Sequence, residues 1–394
     1  MDIDMVGVKR VIKREINRIL HKPRYLIFLT LACIFSFVFF ATLTDEGQPE
    51  NLPVAVVDMD GSYLTRRLCH EINATQGVKV VAVYNNHTEA RKAMQRGEIF
   101  AFYEVPKGTY NELLNFRAPH FGLYSNPCYL LAGTLSYKQL ATMGMLAAGA
   151  VQREVYRKKG YSEDQIMGLI MPVELDTHLI GNPWANYRIY LMTTLIPALF
   201  SFMLLLFMSY LIGREWEKGS IHTLMHKSGN NPYKALFGKM LPYTVWFSLL
   251  VMIANLIMFG IMKFPFNGSW LLMMLNSVLL IFAVQCAAVF IVGCIPDAQL
   301  AMGITAVYGA LCFSLSGFSF PIEAMPPVFT GISWLYPIRY YYLNYSNMAI
   351  FGNGLEHCWP YFCSLLVFGL VFLAGAWMFG RNYDKAVSQG KVNK

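Results

Sequence analysis

The stretch IYLMTTLIPALFSFMLLLFMSYLIGREWEKGSIHTLMHKSGNNPYKALFGK, residues 189–239, holds the pattern that decides the fold. Residues 189–212 contain no Asp, Glu, Lys or Arg. A helix rising about 1.5 Å per residue crosses the hydrocarbon core of a bilayer with about 20 apolar residues, so this run is long enough to span. Residues 213–239 then carry two glutamates, five basic residues, His222 and His226 four apart, and a Gly-Asn-Asn-Pro break. A connector between two membrane helices needs far less, so the polar stretch is expected to touch something.

Five further charge-free runs have spanning length: 25–43, 241–262, 270–294, 298–320 and 360–380. The composition agrees, with 55% hydrophobic and 14% charged residues, where a soluble chain carries about 25% charged. The first run has a long basic flank and no small-residue cleavage site, and reads as an uncleaved anchor rather than a signal peptide. Seven Lys/Arg lie in 1–24, five in 213–239 and four in 381–394, while the short opposite segments hold only Lys263 and Arg339. That asymmetry places both termini and the 213–239 loop in the cytoplasm. The net charge of +8 is thus mainly a topology signal. No basic–aromatic patch supports a nucleic-acid partner.

The expected fold class is an α-helical polytopic membrane protein with six transmembrane helices and an extracytoplasmic α/β domain between the first and second. Residues 1–24 read as a cytoplasmic amphipathic interfacial helix. Met5, Val8, Ile12, Ile16 and Ile19 form its apolar face, and Lys9, Arg10, Lys13, Arg14 and Arg18 form the other, meeting membrane lipids. Residues 25–43 are the first span. In the domain 44–188, LPVAVVD, VKVVAVY and IFAFYEV are short β-branched or aromatic runs separated by helical spacings, which implies a strand–helix–strand–helix–strand unit. A longer helical pattern covers 128–158, Ser162 to Gln165 has capping-box spacing, and MPVELDTHLI reads as a returning strand. Cys69 and Cys128, both in this domain, would be free to pair in an oxidising compartment. Residues 189–380 form a five-helix region with the loop 213–239 and a Pro/Tyr-rich outer segment 321–359, and 381–394 is a cytoplasmic tail.

No charged residue falls inside the six runs, which argues against a proton-driven carrier, because such carriers need titratable groups at midplane. The G-x-x-x-x-G-K-[ST] phosphate loop is absent, so the chain is not expected to be an enzyme or to hold a cofactor or metal. His222 and His226 have the spacing of helical metal ligands, but Thr223 stands where a zinc protease has glutamate, and no third ligand is near. In the outer segment, Pro321, Glu323, Pro326, Pro327, Pro337 and Tyr340 belong to a region where prolines break helices and rings favour the headgroup level. Two short helices dipping into the outer leaflet are expected there.

These pieces resemble the membrane permeases of ABC-2-type exporters, particularly those with a large extracytoplasmic domain after the first span. KREINRILHKPRYLIFL is similar to that family's opening helix and first span, LPVAVVDMDGSYLTRRLCHEINATQGVKVV to the start of its outer domain, and FSFPIEAMPPVFTGISWLYPIRYY to its Pro-rich segment before the last span. The loop also matches the family's E-x-G-[ST], Leu, Pro, Lys order at Glu217, Gly219, Ser220, Leu224, Pro232 and Lys239. It departs from the family at MHKSGNNP, which replaces a short apolar run. The resemblance implies a coupling helix docking on a separate ABC ATPase subunit that carries ATP and Mg, with Glu215, Glu217, Gly219, Ser220, Leu224 and Pro232 as coupling residues. Glu215 and Glu217 would sit near the electropositive start of the following helix. It further implies a bacterial inner (plasma) membrane location, a second permease copy or paralogue, a periplasmic adaptor, and export of a drug or lipid-like compound. A competing reading is a non-transport receptor or envelope scaffold, which would not need the docking loop.

Overall fold

The computed structural model describes residues 5–389 except 115–116, 118, 174 and 184; the first four residues and the tail beyond 389 lie outside the described residues. The chain divides into two compact units, 1–45 with 179–394, and 46–178.

The chain opens with helix α1 (Met5–His21), and α2 (Arg24–Leu43) follows after a break at Lys22 and Pro23. Of the apolar face expected for α1, Val8 is buried, Ile12 and Ile19 are half-buried and Ile16 stands outward. Gly7, Val8, Val11 and Glu15 are its buried positions among the described residues, while Ile16 is 43% exposed. The side chain of Met5 lies outside the described residues.

The unit 46–178 is built around a four-stranded sheet. In chain order it runs β1 (Leu52–Asp58), α3 (Tyr63–Asn73), β2 (Val78–Tyr84), α4 (His87–Gln95), β3 (Ala101–Val105), α5 (Thr109–Leu114), β4 (Gly122–Ser125), α6 (Leu130–Lys158) and α7 (Glu163–Ile170). The sheet order is β2-β1-β3-β4, with β1 parallel to both neighbours and β4 antiparallel to β3. Because side chains alternate along a strand, β1 feeds two cores. Val54 and Val56 pack with Leu68, Ile72 and Leu140, while Ala55 and Val57 pack with Ala90, Ala93 and Phe102. The strand–helix–strand–helix–strand reading holds, and Ser162 and Gln165 form the capping box that starts α7. The returning strand expected at 171–180 does not form: its described residues, all but Glu174, have no regular structure. Cys69 and Cys128 are both free thiols. Burial and the neighbouring Asp58 raise the Cys69 pKa.

The other unit continues with α8 (Tyr187–Glu217), α9 (Ile221–Lys227), α10 (Pro232–Asn255), α11 (Trp270–Cys294), α12 (Ala298–Leu315), α13 (Pro327–Ser333), α14 (Pro337–Tyr345) and α15 (Leu355–Ser388). A π-helical turn, Leu256–Ile261, extends α10. Among the described residues six helices are long and apolar enough to cross a membrane: α2, α8, α10 with its π turn, α11, α12 and α15. The six expected spans are thus present, but their ends differ. Charge-free runs stop where the first charge stands, whereas α8 continues to Glu217 and α10 begins at Pro232, so Glu215 and Lys239 lie within spanning helices. Each of these two charges meets opposite charges.

Helix α11 is the hub. It packs against α8, α10, α14 and α15, and its crossing with α15 is close enough that a Cβ on Gly293 would stand 2.2 Å from the Gly375 carbonyl oxygen. Three neutral polar contacts inside the bundle run across helices. Asn276 Nδ2 donates to the Tyr341 carbonyl at 3.1 Å, Asn344 Nδ2 to Asn276 Oδ1 at 3.0 Å, and Thr244 Oγ1 to Gln285 Oε1 at 2.6 Å.

The segment 321–359 contains two short helices, as expected. Pro327 and Pro337 occupy the first turns of α13 and α14, where a missing N–H costs nothing. Pro321 precedes a single 3-10 turn, Ile322–Ala324, with Glu323 exposed, and Pro326 immediately precedes α13. The Tyr340 hydroxyl donates to the Trp334 carbonyl at 3.0 Å. Tyr336, Ile338, Tyr341 and Tyr345 are buried in the main core, whereas the proline-broken stretch before them stands mostly exposed.

Candidate functional site

The loop that opens the sequence reading is short and fully specified. Helix α8 ends at Glu217, and Gly219 follows with φ +65°, the left-handed conformation that lets a chain leave a helix in a tight turn. Helix α9 then presents Ile221, Leu224 and Met225 inward, all buried. The segment SGNNP closes it. The buried Ser228 hydroxyl donates to the Met225 carbonyl at 2.8 Å, and Gly229 and Asn230 take φ +73° and +57°. Asn231 caps α10 by accepting from the Tyr233 and Lys234 N–H groups, with Pro232 at the first turn. The departure from the family pattern is therefore a helix stop followed directly by a helix start.

Behind this loop lies a buried ionic junction. Glu15, Glu215 and Lys239 are each 0% exposed. The Glu215 carboxylate accepts from Lys239 Nζ at 2.7 Å, Arg14 Nη2 at 2.7 Å, Arg18 Nη1 at 2.7 Å and the Ser220 hydroxyl at 2.5 Å. Glu15 accepts from Arg14 at 2.7 Å, Lys239 at 3.4 Å and the Tyr243 hydroxyl at 3.4 Å. Two carboxylates, one from α1 and one from α8, thus meet two cations of α1 and one of α10, with Ser220 adding the head of the loop. Burial alone would lower the Arg14 pKa, but the hydrogen bonds and charges of Glu215 and Glu15 outweigh it and raise it. Such a cluster is tolerated away from water only when every charge is matched and hydrogen-bonded.

Helix α1 is drawn onto the loop by two close approaches as well. A Cβ on Gly7 would stand 2.8 Å from the Ser228 carbonyl oxygen, and one on Gly238 would stand 3.0 Å from Val11 Cβ. Gly7→Val is therefore expected to lift α1 from α9 and α10 at an overpacking cost of about 1–3 kcal/mol. Faster protease cleavage within 5–21 in detergent-solubilised protein would register it, and an unchanged cleavage rate would refute the contact.

The residues singled out from sequence separate into two groups. Glu215, Ser220 and Leu224 are inward: the first two belong to the junction and Leu224 to the core. Glu217 and Gly219 are exposed and Pro232 is half-buried. The placement of Glu215 and Glu217 near the start of the next helix is corrected: both close α8, and Glu215 faces cations rather than a partner. Arg14 and Arg18, expected on the lipid-headgroup face of α1, instead turn inward to Glu215. His222 and His226 lie on α9 with ring centroids 6.4 Å apart. Sequence reasoning gave no role to Glu15 or Tyr243. The available signal was a glutamate four residues after Val11 on the apolar side of a basic helix, together with Lys239 just before a charge-free run.

The sequence model of the ABC-2 family transporter proteins matches residues 24–378. The chain is similar to the probable multidrug ABC transporter permease YbhR of Escherichia coli K12, 23% identical over 363 residues, which covers 89% of this chain and 92% of that protein. It is also similar to the inner membrane transport permease YhhJ of the same strain, 22% identical over 366 residues, covering 91% and 92%. A third relative, the probable multidrug ABC transporter permease YbhS, is 24% identical over 183 residues, covering 46% and 48%. With a family match running from the first spanning helix into the last, over a bundle whose 213–239 loop is anchored by its own ionic junction, this chain belongs to the ABC-2 family of transporter proteins.

Proposed function

We propose that this chain is the membrane permease subunit of an ATP-driven exporter, moving a hydrophobic or amphipathic compound out of the cytoplasm or the inner leaflet. A separate ATPase subunit, holding ATP and Mg, supplies the energy and docks on the loop 217–227. The observation that carries this reading is the mechanical arrangement behind the loop. Glu217, Lys218, Thr223 and His226 are exposed on its outer side, while its inner side is fixed to three helices through Glu215, Ser220, Ile221 and Leu224. A load applied to the exposed side reaches α1, α8 and α10 together, because the buried charges do not separate without a large desolvation cost.

The basic residues of 1–24, 213–239 and 381–394 support a cytoplasmic position for this loop and both termini, with the α/β unit outside as a surface for release or for a periplasmic adaptor. The inner membrane location and the drug-like cargo draw on the names of the relatives YhhJ and YbhR. Pairing with a second copy or a paralogous permease completes the pathway, and α13 and α14 dip into the outer leaflet. A receptor or scaffold has no use for a loop clamped in this way, so the exporter reading is preferred.

A surface variant tests the docking. Glu217→Arg with Thr223→Arg changes only exposed positions, so the melting temperature in detergent should match the wild type. The amount of ABC ATPase co-purified from native membranes should fall at least about tenfold, since like-charge or sterically blocked contacts at an interface cost a few kcal/mol. Full co-purification together with full transport would overturn the assignment. Leu224→Asp is unsuitable here, because Leu224 is buried and its loss would report folding.

A further inference from the structure

The ionic face of α1 accounts for only part of that helix. Its other flank, with α2 and α10, walls an apolar groove of about 570 Å³ lined by Ile12, Ile16, Leu26, Leu241, Val245 and Trp246, among others. Ile16, Val245 and Trp246 are exposed, so the groove opens sideways, and its volume is within the range of about 300–1,000 Å³ found for ligand pockets. The few polar atoms in its walls are occupied with one another. The Thr30 hydroxyl donates to the Leu26 carbonyl at 2.7 Å and accepts the Trp246 indole N–H at 3.0 Å. Nothing in the groove asks for a hydrogen-bonding ligand, so its natural occupant is hydrocarbon.

The rim supplies the second half of the recognition. Residues three and four apart on a helix share an edge, so Lys9 lies one turn from Ile12, and Lys13 one turn from Ile16. Both lysines are exposed, and neither forms an ion pair among the described residues. This differs from Arg14 and Arg18 on the opposite flank, whose charges are spent on Glu215. A basic edge above an apolar cleft, on a helix leading directly into a membrane span, is complementary to one molecule class: a lipid with an anionic headgroup and an acyl chain.

We propose that the groove between α1, α2 and α10 is a binding site for an anionic phospholipid, with its acyl chain in the groove and its phosphate against Lys9 and Lys13. The lipid fills the cleft that α1 leaves as it turns at Pro23. It thereby holds the flank of α1 opposite the ionic junction and makes the seating of that helix depend on the lipid. Such a site requires only that α2 and α10 lie in a bilayer; it neither needs nor tests a partner ATPase.

The test uses the full chain in vesicles containing phosphatidylglycerol or phosphatidylcholine with a diazirine at the end of the acyl chain. After photolysis, peptides covering 12–31 and 241–246 should carry the phosphatidylglycerol probe at least about tenfold more than the phosphatidylcholine probe. Each basic residue at a membrane surface strengthens anionic-lipid binding about fivefold, so Lys9→Gln with Lys13→Gln should erase most of that preference. Val245→Trp, or Ile16→Trp should the first fold poorly, fills the groove and should cut labelling by both probes at least about fivefold. Equal labelling by the two lipids, insensitivity to the tryptophan variants, or labelling spread evenly along the exposed face of α2 would each overturn the site. Cross-links from the groove to a second copy of the chain in place of lipid would overturn it as well.

Discussion

Glu215→Gln is expected to destabilise the membrane unit by about 3–5 kcal/mol, the range measured when one partner is removed from a buried charge cluster. The variant retains the shape and two hydrogen-bonding atoms of the side chain, so the loss reports charge. It leaves Lys239, fully buried, with only the more distant Glu15 at 3.4 Å, while Arg14 and Arg18 lose their shortest contact in common. The readout is the unfolding midpoint in detergent, which should fall by several degrees. Glu215→Gln combined with Lys239→Met removes a charge of each sign and should recover at least half of that loss, because neighbouring residues in one network are not additive. A single variant that melts like the wild type would mean that the junction is open to water and screened.

The sequence made the six spans and the α/β strand–helix alternation legible, because both rest on local composition. Length without charge marks a span, and β-branched runs between turns mark a strand. The junction was not legible for the same reason. Arg14 and Glu215 are 201 residues apart, and nothing local to either distinguishes a charge facing lipid headgroups from one facing another charge. The rule that charges end a span then misplaced the ends of α8 and α10, since it judges each residue alone. Strand β4, Gly122–Ser125, was missed because four residues without a β-branched side chain carry no pattern, and its place is set by pairing with β3. The segment 171–180 failed in the opposite sense: Val173 and Leu175 suggest a strand, but the sheet is already complete without it, and both stand exposed. Glu217 and Leu224 were named together from one motif, yet one faces outward and the other inward, a distinction that only the turn at Gly219 makes.

Gly293→Val should rival the loss of Glu215. Backbone stands on both sides of the α11–α15 crossing: a Cβ on Gly293 would meet the Gly375 carbonyl oxygen, and one on Gly375 would lie 2.6 Å from Phe290 Cα. Flexible side chains can turn away, but here the helices themselves would have to separate. Small residues at such crossings let membrane helices approach and gain packing that lipid cannot supply. An inserted methyl in a tight core costs about 1–3 kcal/mol, and valine adds a branch that has no free rotamer. The expected result is little monodisperse protein after solubilisation and a lowered unfolding midpoint in what remains. Gly303→Ala is the matched control, since a Cβ there has nothing within 4 Å, and it should be neutral or slightly stabilising through helix propensity. Equal behaviour of the two variants would remove the crossing from any special role.

The junction also has a consequence for biogenesis. Arg14, Glu15 and Arg18 leave the ribosome about 200 residues before Glu215, which at about 5–20 residues per second is a wait of roughly 10–40 s. During that interval α1 has no matching carboxylate from α8 and no Lys239. It acquires them only if the two spans between have threaded so that the amino terminus and the 213–239 loop emerge on the same face of the membrane. A chain inserted with α8 reversed would strand Glu215 on the far side. The cluster is therefore a checksum on topology: Glu15 remains for Arg14 within α1, but the full set of contacts closes only in a chain threaded this way.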